Sequence, residues 1–277
     1  MKKYLFILAA AAALASCREL VLEDRTQCPS FLFLEITNAG RFLDLDDIHA
    51  TVYSHPKTAL IDERETTVKS IQDKETYFVV RGTGAVRGYG LLGYDRLIPQ
   101  GSEWTVPVGQ DYPPLFRFHY LEPVRDESFI VPVEFVKDHC KVSLQFVGME
   151  TFTSSGGRFP FDIVVRGNTA GMNALTGVPV RGPFEYRPPE QTIGRFEFTL
   201  PRQADHKLLL ELYGREGLHD RPGFAESFDL YDILRREGGI TWTEKNIPDV
   251  DLLIDYQQMS VSVSITPWES SSLEYIQ

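Results

Sequence analysis

Cys140-Lys141-Val142-Ser143-Leu144-Gln145-Phe146-Val147 alternates apolar and polar side chains almost without a break. Successive side chains of a β-strand point to opposite faces, so this places Cys140, Val142, Leu144 and Phe146 on one side and Lys141, Ser143 and Gln145 on the other. That is a half-buried strand of an antiparallel sheet. Upstream, across the polar step Lys137-Asp138-His139, Phe129 to Val136 reads as another strand, and Pro132 confines it to an edge or a bulge. Near the end of the chain Met259, Val261, Val263 and Ile265 alternate with Ser260, Ser262, Ser264 and Thr266, one face for a core and one for water.

The same style extends in both directions. Phe31 to Thr37, Ile48 to Tyr53 and Tyr77 to Val80 read as strands in the first half. Phe161 to Val165, Arg195 to Leu200, Lys207 to Tyr213 and Val250 to Tyr256 read as strands in the second. One short helix interrupts them: Ser227 is placed to cap it, Phe228, Tyr231 and Leu234 recur at helical spacing, and Gly238-Gly239 ends it. Many brief strands, with 21 Gly and 17 Pro at turn-like places, predict a mainly β chain of two β-sandwich domains in tandem, with the helix in the second. The polar run Thr153-Ser154-Ser155-Gly156-Gly157 sets the expected boundary, giving domains 17–150 and 151–277.

Composition agrees with a folded chain. Of 277 residues 43% are hydrophobic and 24% charged, outside the range of disordered sequences. The 39 Asp plus Glu exceed the 28 Lys plus Arg, and a formal charge of -11 repels nucleic acid.

The N-terminus has its own logic. Met1-Lys2-Lys3 is followed by an uncharged run to Ala13 and then Leu14-Ala15-Ser16-Cys17, a secretory signal (1–16) too short to span a bilayer. The cysteine directly after Leu-Ala-Ser resembles the lipobox of bacterial lipoproteins, which makes Cys17 the acylated first residue of the mature chain. Several acyl chains at ~0.8 kcal/mol per buried CH2 would hold the chain firmly to lipid. Arg18, rather than an aspartate, follows the cysteine, which favours the outer membrane. Cys28 and Cys140 then remain, outside the cytoplasm, and two readings stay open: a disulfide closing a loop of more than about 100 residues, or two separate buried thiols.

The search for chemistry returns little. The glycines of Gly82-Thr83-Gly84-Ala85-Val86-Arg87-Gly88 have the wrong spacing for a phosphate loop and no helix behind them. His49, His55, His119, His139, His206 and His219 show no metal-binding spacing, so neither metal nor cofactor is expected. His139 and Cys140 are adjacent, and on a strand would face opposite ways. Asp44-Leu45-Asp46-Asp47 lacks the glycine and distant glutamate of a calcium loop. Trp104, Trp242 and Trp268 could form a sugar-stacking platform, although aromatic residues in sandwiches are more often core anchors. Nothing argues for an enzyme.

Taken together, the lipobox cysteine, the segment Glu23-Asp24-Arg25-Thr26-Gln27-Cys28-Pro29, the strand-rich body, helix 228–234, Trp242, Ile247-Pro248-Asp249-Val250-Asp251 and the run Val263 to Trp268 resemble the FimB/Mfa2 family of fimbrial anchor proteins from Bacteroidetes. The resemblance implies two transthyretin-like sandwiches in a lipid-anchored base subunit of a pilus. Its partners would be the membrane, through the anchor, and fimbrillin subunits, joined by β-strand complementation. Two other readings remain: a shaft or tip fimbrillin cut after Arg18, Arg25 or Arg41, and a carbohydrate-binding surface lipoprotein using the tryptophans.

Overall fold

The computed structural model of the chain describes residues 29–42, 47–81, 84–125, 128–148, 159–216, 223–258 and 260–267. The first part of the chain forms β1 (Pro29–Ile36), β2 (Ile48–His55), β3 (Leu60–Thr66), a short helix α1 (Val68–Gln72), β4 (Tyr77–Arg81), β5 (Ala85–Leu92), β6 (Ile98–Gln100), β7 (Glu103–Thr105), β8 (Phe116–Pro123), β9 (Phe129–Val133) and β10 (Val136–Lys137). The second part forms β11 (His139–Val147), β12 (Phe161–Asn173), β13 (Pro179–Tyr186), β14 (Glu190–Thr192), β15 (Arg195–Pro201), β16 (Leu208–Gly214), β17 (Gly223–Asp229), helix α2 (Leu230–Arg236), β18 (Asp249–Asp255) and β19 (Ser260–Thr266). The expected mainly β architecture is the one observed.

Two sandwiches result. The first packs a three-stranded sheet, β4-β1-β9, on a five-stranded sheet, β10-β8-β5-β2-β3. Its core runs from Leu32, Leu34 and Ile36 on β1 through Phe78 and Val80 to Val52, Phe116 and Phe118. The second packs the order β14-β15-β11-β18-β19 on β17-β16-β12-β7-β6, with β13 also paired to β12. On β11 the buried set is Cys140, Val142, Leu144 and Phe146, the face expected from the alternation.

Sheet membership changes at Asp138, where β11 begins to pair with β15 and β18 of the second sandwich. The segment Thr151–Arg158, read as the linker, lies outside the described residues. The β6–β7 hairpin also crosses over. Gly171, Met172 and Asn173 on β12 pair with Thr105, Trp104 and Glu103 on β7.

Two local expectations need correction. Phe129 to Val136 is not one strand: β9 ends at Val133, and β10 pairs with β8 in the opposite sheet. Asn38 fixes the crossing, its amide donating to the Phe135 carbonyl at 2.9 Å and accepting from the Phe135 N–H at 3.1 Å. Helix α2 starts two residues later than expected, since Ser227 and Phe228 belong to β17. Asp229 is the cap, its carboxylate accepting from the Asp232 N–H at 2.9 Å. At the other end Gly239 takes φ of 66° and the Ile240 N–H returns to the Leu234 carbonyl at 3.1 Å, so the glycine pair terminates the helix as read. Pro132 does sit on an edge strand, β9.

Candidate functional site

β1 occupies an unusual place for the first described strand of a chain. It lies between β4, antiparallel, and β9, parallel, and five residue pairs join it to each. Leu32, Leu34 and Ile36 are 0%, 1% and 3% exposed, so β1 is a central strand whose inner face fills the first core. At Pro29 it leads back, across eleven intervening residues, toward Cys17. At its other end the chain turns through Ala39–Arg41. Removing everything up to Arg41 would take out the strand that β4 and β9 share and leave a strand-wide slot between them.

The cysteines do not gather into one site. Cys17 and Cys28 lie outside the described residues. Cys140 carries a free, fully buried thiol, and burial pushes its pKa up to about 12.

The sheet edges are where another chain could pair. β19 runs antiparallel to β18 over seven residue pairs and ends its sheet, with no β partner on its outer side among the described residues. Val261 and Val263 are half-buried against the second core, while Ile265 is 40% exposed. The clean division into a dry and a wet face is thus blurred, as suits an edge strand covered only in part by α2.

Of the tryptophans, Trp104 and Trp242 are 3% and 6% exposed and belong to the second core, so neither ring forms a stacking platform. Trp268 lies outside the described residues. Trp104 instead joins the two sandwiches: its ring meets the His49 ring of β2 at 4.9 Å, and its Nε1–H donates to the Tyr89 hydroxyl of β5 at 3.4 Å. Lys137, Asp138 and His139, which read as a polar step, are all 0% exposed where the chain passes between sandwiches. Burial, and then the Lys137 charge, hold His139 well below its ordinary pKa, so it is neutral. Asp46 and its neighbours through Asp44 lie outside the described residues. Among the described residues no group of three His, Cys, Asp or Glu is arranged to hold a metal ion. No described helix is long and apolar enough to cross a membrane.

The two packed β-sandwiches in tandem define a fold that solved structures share. No protein-family model and no curated protein matches the sequence. The fold is similar to that of the fimbrial anchor protein Mfa2 from Porphyromonas gingivalis (TM-score 0.59, 8% identity, 87% of this chain and 97% of that one). It is equally similar to a candidate polysaccharide-binding protein from Bacteroides thetaiotaomicron (TM-score 0.59, 10% identity, 88% and 100%). A candidate adhesin from the same species follows (TM-score 0.55, 12% identity, 87% and 97%). At these identities the likeness is one of fold, and at that level the expected resemblance to fimbrial anchor proteins holds.

Proposed function

We propose that this chain is a non-enzymatic, fimbria-related cell-surface protein, and specifically the lipid-anchored base subunit of a fimbria. Cys17, acylated in the outer membrane, is the tether. Fimbrillin subunits are the partners, joined through unpaired strand edges such as that of β19, where main-chain groups supply affinity and alternate side chains supply selectivity. The observation that carries this reading is the position of β1. The described strand nearest the tether in sequence is hydrogen-bonded on both sides, so a pull on Cys17 acts along β1 and must shear two ladders together. The fold shared with a fimbrial anchor protein supports the same assignment.

Intact-mass measurement of the native protein tests it. The expected product begins at an acylated Cys17 and retains β1. An unlipidated product beginning after Arg41 would replace this reading with that of a polymerising fimbrillin, because that cut opens the slot between β4 and β9. Crosslinking on intact cells is expected to recover a fimbrillin.

A further inference from the structure

The molecule carries a second feature that the anchoring role does not use. A cleft of about 720 Å³ opens where the sandwiches meet. Its lining comes from β8 (Arg117, His119), from the turn before β13 (Gly177, Val178), from the loop after β15 (Arg202, Gln203) and from the loop after α2 (Trp242–Lys245). In a chain of formal charge -11, four cations line this one cleft, Arg117, Arg181, Arg202 and Lys245, against one carboxylate, Glu244. The volume lies in the range of small-molecule sites, about 300–1,000 Å³.

The cations do two jobs. Arg202 is structural: its guanidinium meets the Asp138 carboxylate at 2.7 Å and donates to the carbonyls of Trp242 and Glu244 at 2.7 Å each and of Lys245 at 3.2 Å. Arg117 must share that same carboxylate, its Nε standing 3.5 Å from the other oxygen of Asp138. Two buried guanidinium groups thus divide one buried carboxylate. Arg117 Nη1 meets His119 Nδ1 at 2.9 Å, and the buried Nε makes no hydrogen bond among the described residues. The guanidinium lies under Gly177, where an added Cβ would stand 2.2 Å from Nη2. In the same walls Trp242 Nε1 and Gln203 Oε1 also lack partners. At the rim Arg181 and Lys245 are 70% and 59% exposed, and their own partners, Asp205 and Glu134, are surface pairs of little energetic weight.

We propose that this cleft binds a carboxylated sugar, with the carboxylate on Arg117 and the rim cations and the ring hydroxyls beside Thr243 and Glu244. An under-compensated guanidinium with a free donor calls for a planar anion, which carboxylate matches. Glu244 on the rim disfavours a polyanion and accepts from hydroxyl groups. Val136, Val178 and Ala204 offer an apolar wall to the C–H face of a ring. The cleft is compact and lined mainly by loops. The proposal does not depend on the fimbrial reading, and its failure would leave that reading intact.

The test is equilibrium titration of the detergent-solubilised full chain with glucuronate and galacturonate, beside glucose, galactose and a Glu-Glu-Glu peptide. Saturable uronate binding is expected at a Kd on the order of 1 mM, with neutral sugars at least about tenfold weaker. Arg117→Gln is expected to abolish it, but that change also strips Asp138 of a partner. Val178→Glu is the surface control, since Val178 is 60% exposed. With the melting temperature unchanged, it should weaken uronate binding by about fivefold or more through like charge. Absent uronate binding, equal binding of neutral sugars, tighter binding of the acidic peptide, or undiminished affinity in Val178→Glu would each overturn the proposal.

Discussion

Lys137 sits with its whole side chain out of water, and every proton of its ammonium is answered: the His139 carbonyl at 2.9 Å, the Ile247 carbonyl at 2.9 Å and the Asp249 carboxylate at 2.6 Å. The same Asp249 oxygen accepts from the Lys141 N–H at 2.8 Å, tying β11 to β18. Breaking such a pair costs more than replacing it, because one charge is stranded. Asp249→Ala is therefore expected to destabilise by about 3–5 kcal/mol in denaturant unfolding, while the double change Lys137→Met with Asp249→Leu should recover most of the loss. His139, held neutral by burial and by Lys137, makes stability depend on pH. Its folded pKa is depressed, so below about 6.5 the unfolded chain binds a proton that the folded chain refuses, and stability falls as pH drops. His119, lowered by burial and by Arg117, has the same sign. Asp111, raised to about 6 by burial, acts oppositely between about 6 and 3.8. The melting temperature should be lower at pH 6 than at pH 7.5, and the difference should shrink in His139→Asn. Cys140 is expected to resist alkylation at pH 8 in the folded protein and to react once the chain is unfolded, since the thiolate is the nucleophile.

Among the elements, the strands were the most legible in sequence and their partners the least. Cys140–Val147 and Val250–Tyr256 announce themselves by alternation or by β-rich composition, and both fold as read. The period does not say which sheet a strand joins. β7 is only three residues long and carries no periodic signal, yet its backbone joins the sheet of the second sandwich by pairing with β12. That approach needs a glycine: a Cβ on Gly171 would lie 1.9 Å from the Trp104 carbonyl oxygen, a backbone atom that cannot swing aside. Gly171→Ala should displace the β6–β7 hairpin and cost at least about 1–3 kcal/mol, with amide exchange accelerated at Trp104 and Thr105 while the first core stays protected. The break after Val133 leaves no mark in the sequence, because Val136 continues the apolar pattern. Only the Asn38 clamp on Phe135 shows that the chain changes sheets there.

At the scale of the whole molecule, the anchoring proposal and the cleft proposal depend on different parts, the tether side of β1 and the junction between sandwiches. Cys17 was readable because a lipobox is a contiguous signal, whereas the Arg117–Asp138–Arg202 cluster was not, its members lying apart in sequence. Two sandwiches that merely followed one another on a linker should melt independently. Here β2 and β5 are covered on both faces, with Tyr89 and Leu91 in the second core and Val86 and Leu92 in the first. A single calorimetric transition is therefore expected for the parent chain, and two transitions would contradict this shared packing. The amino-acid sequence by itself determined the β class, most strands and their inward faces, the helix end at Gly238-Gly239 and the candidate lipid attachment, since each is written in neighbouring residues. Tertiary structure alone decided that β1 is central, that a polar triplet is buried, that Trp104 and Trp242 are core and that four cations share a cleft. These depend on contacts between residues far apart in the chain, which local period and composition do not record.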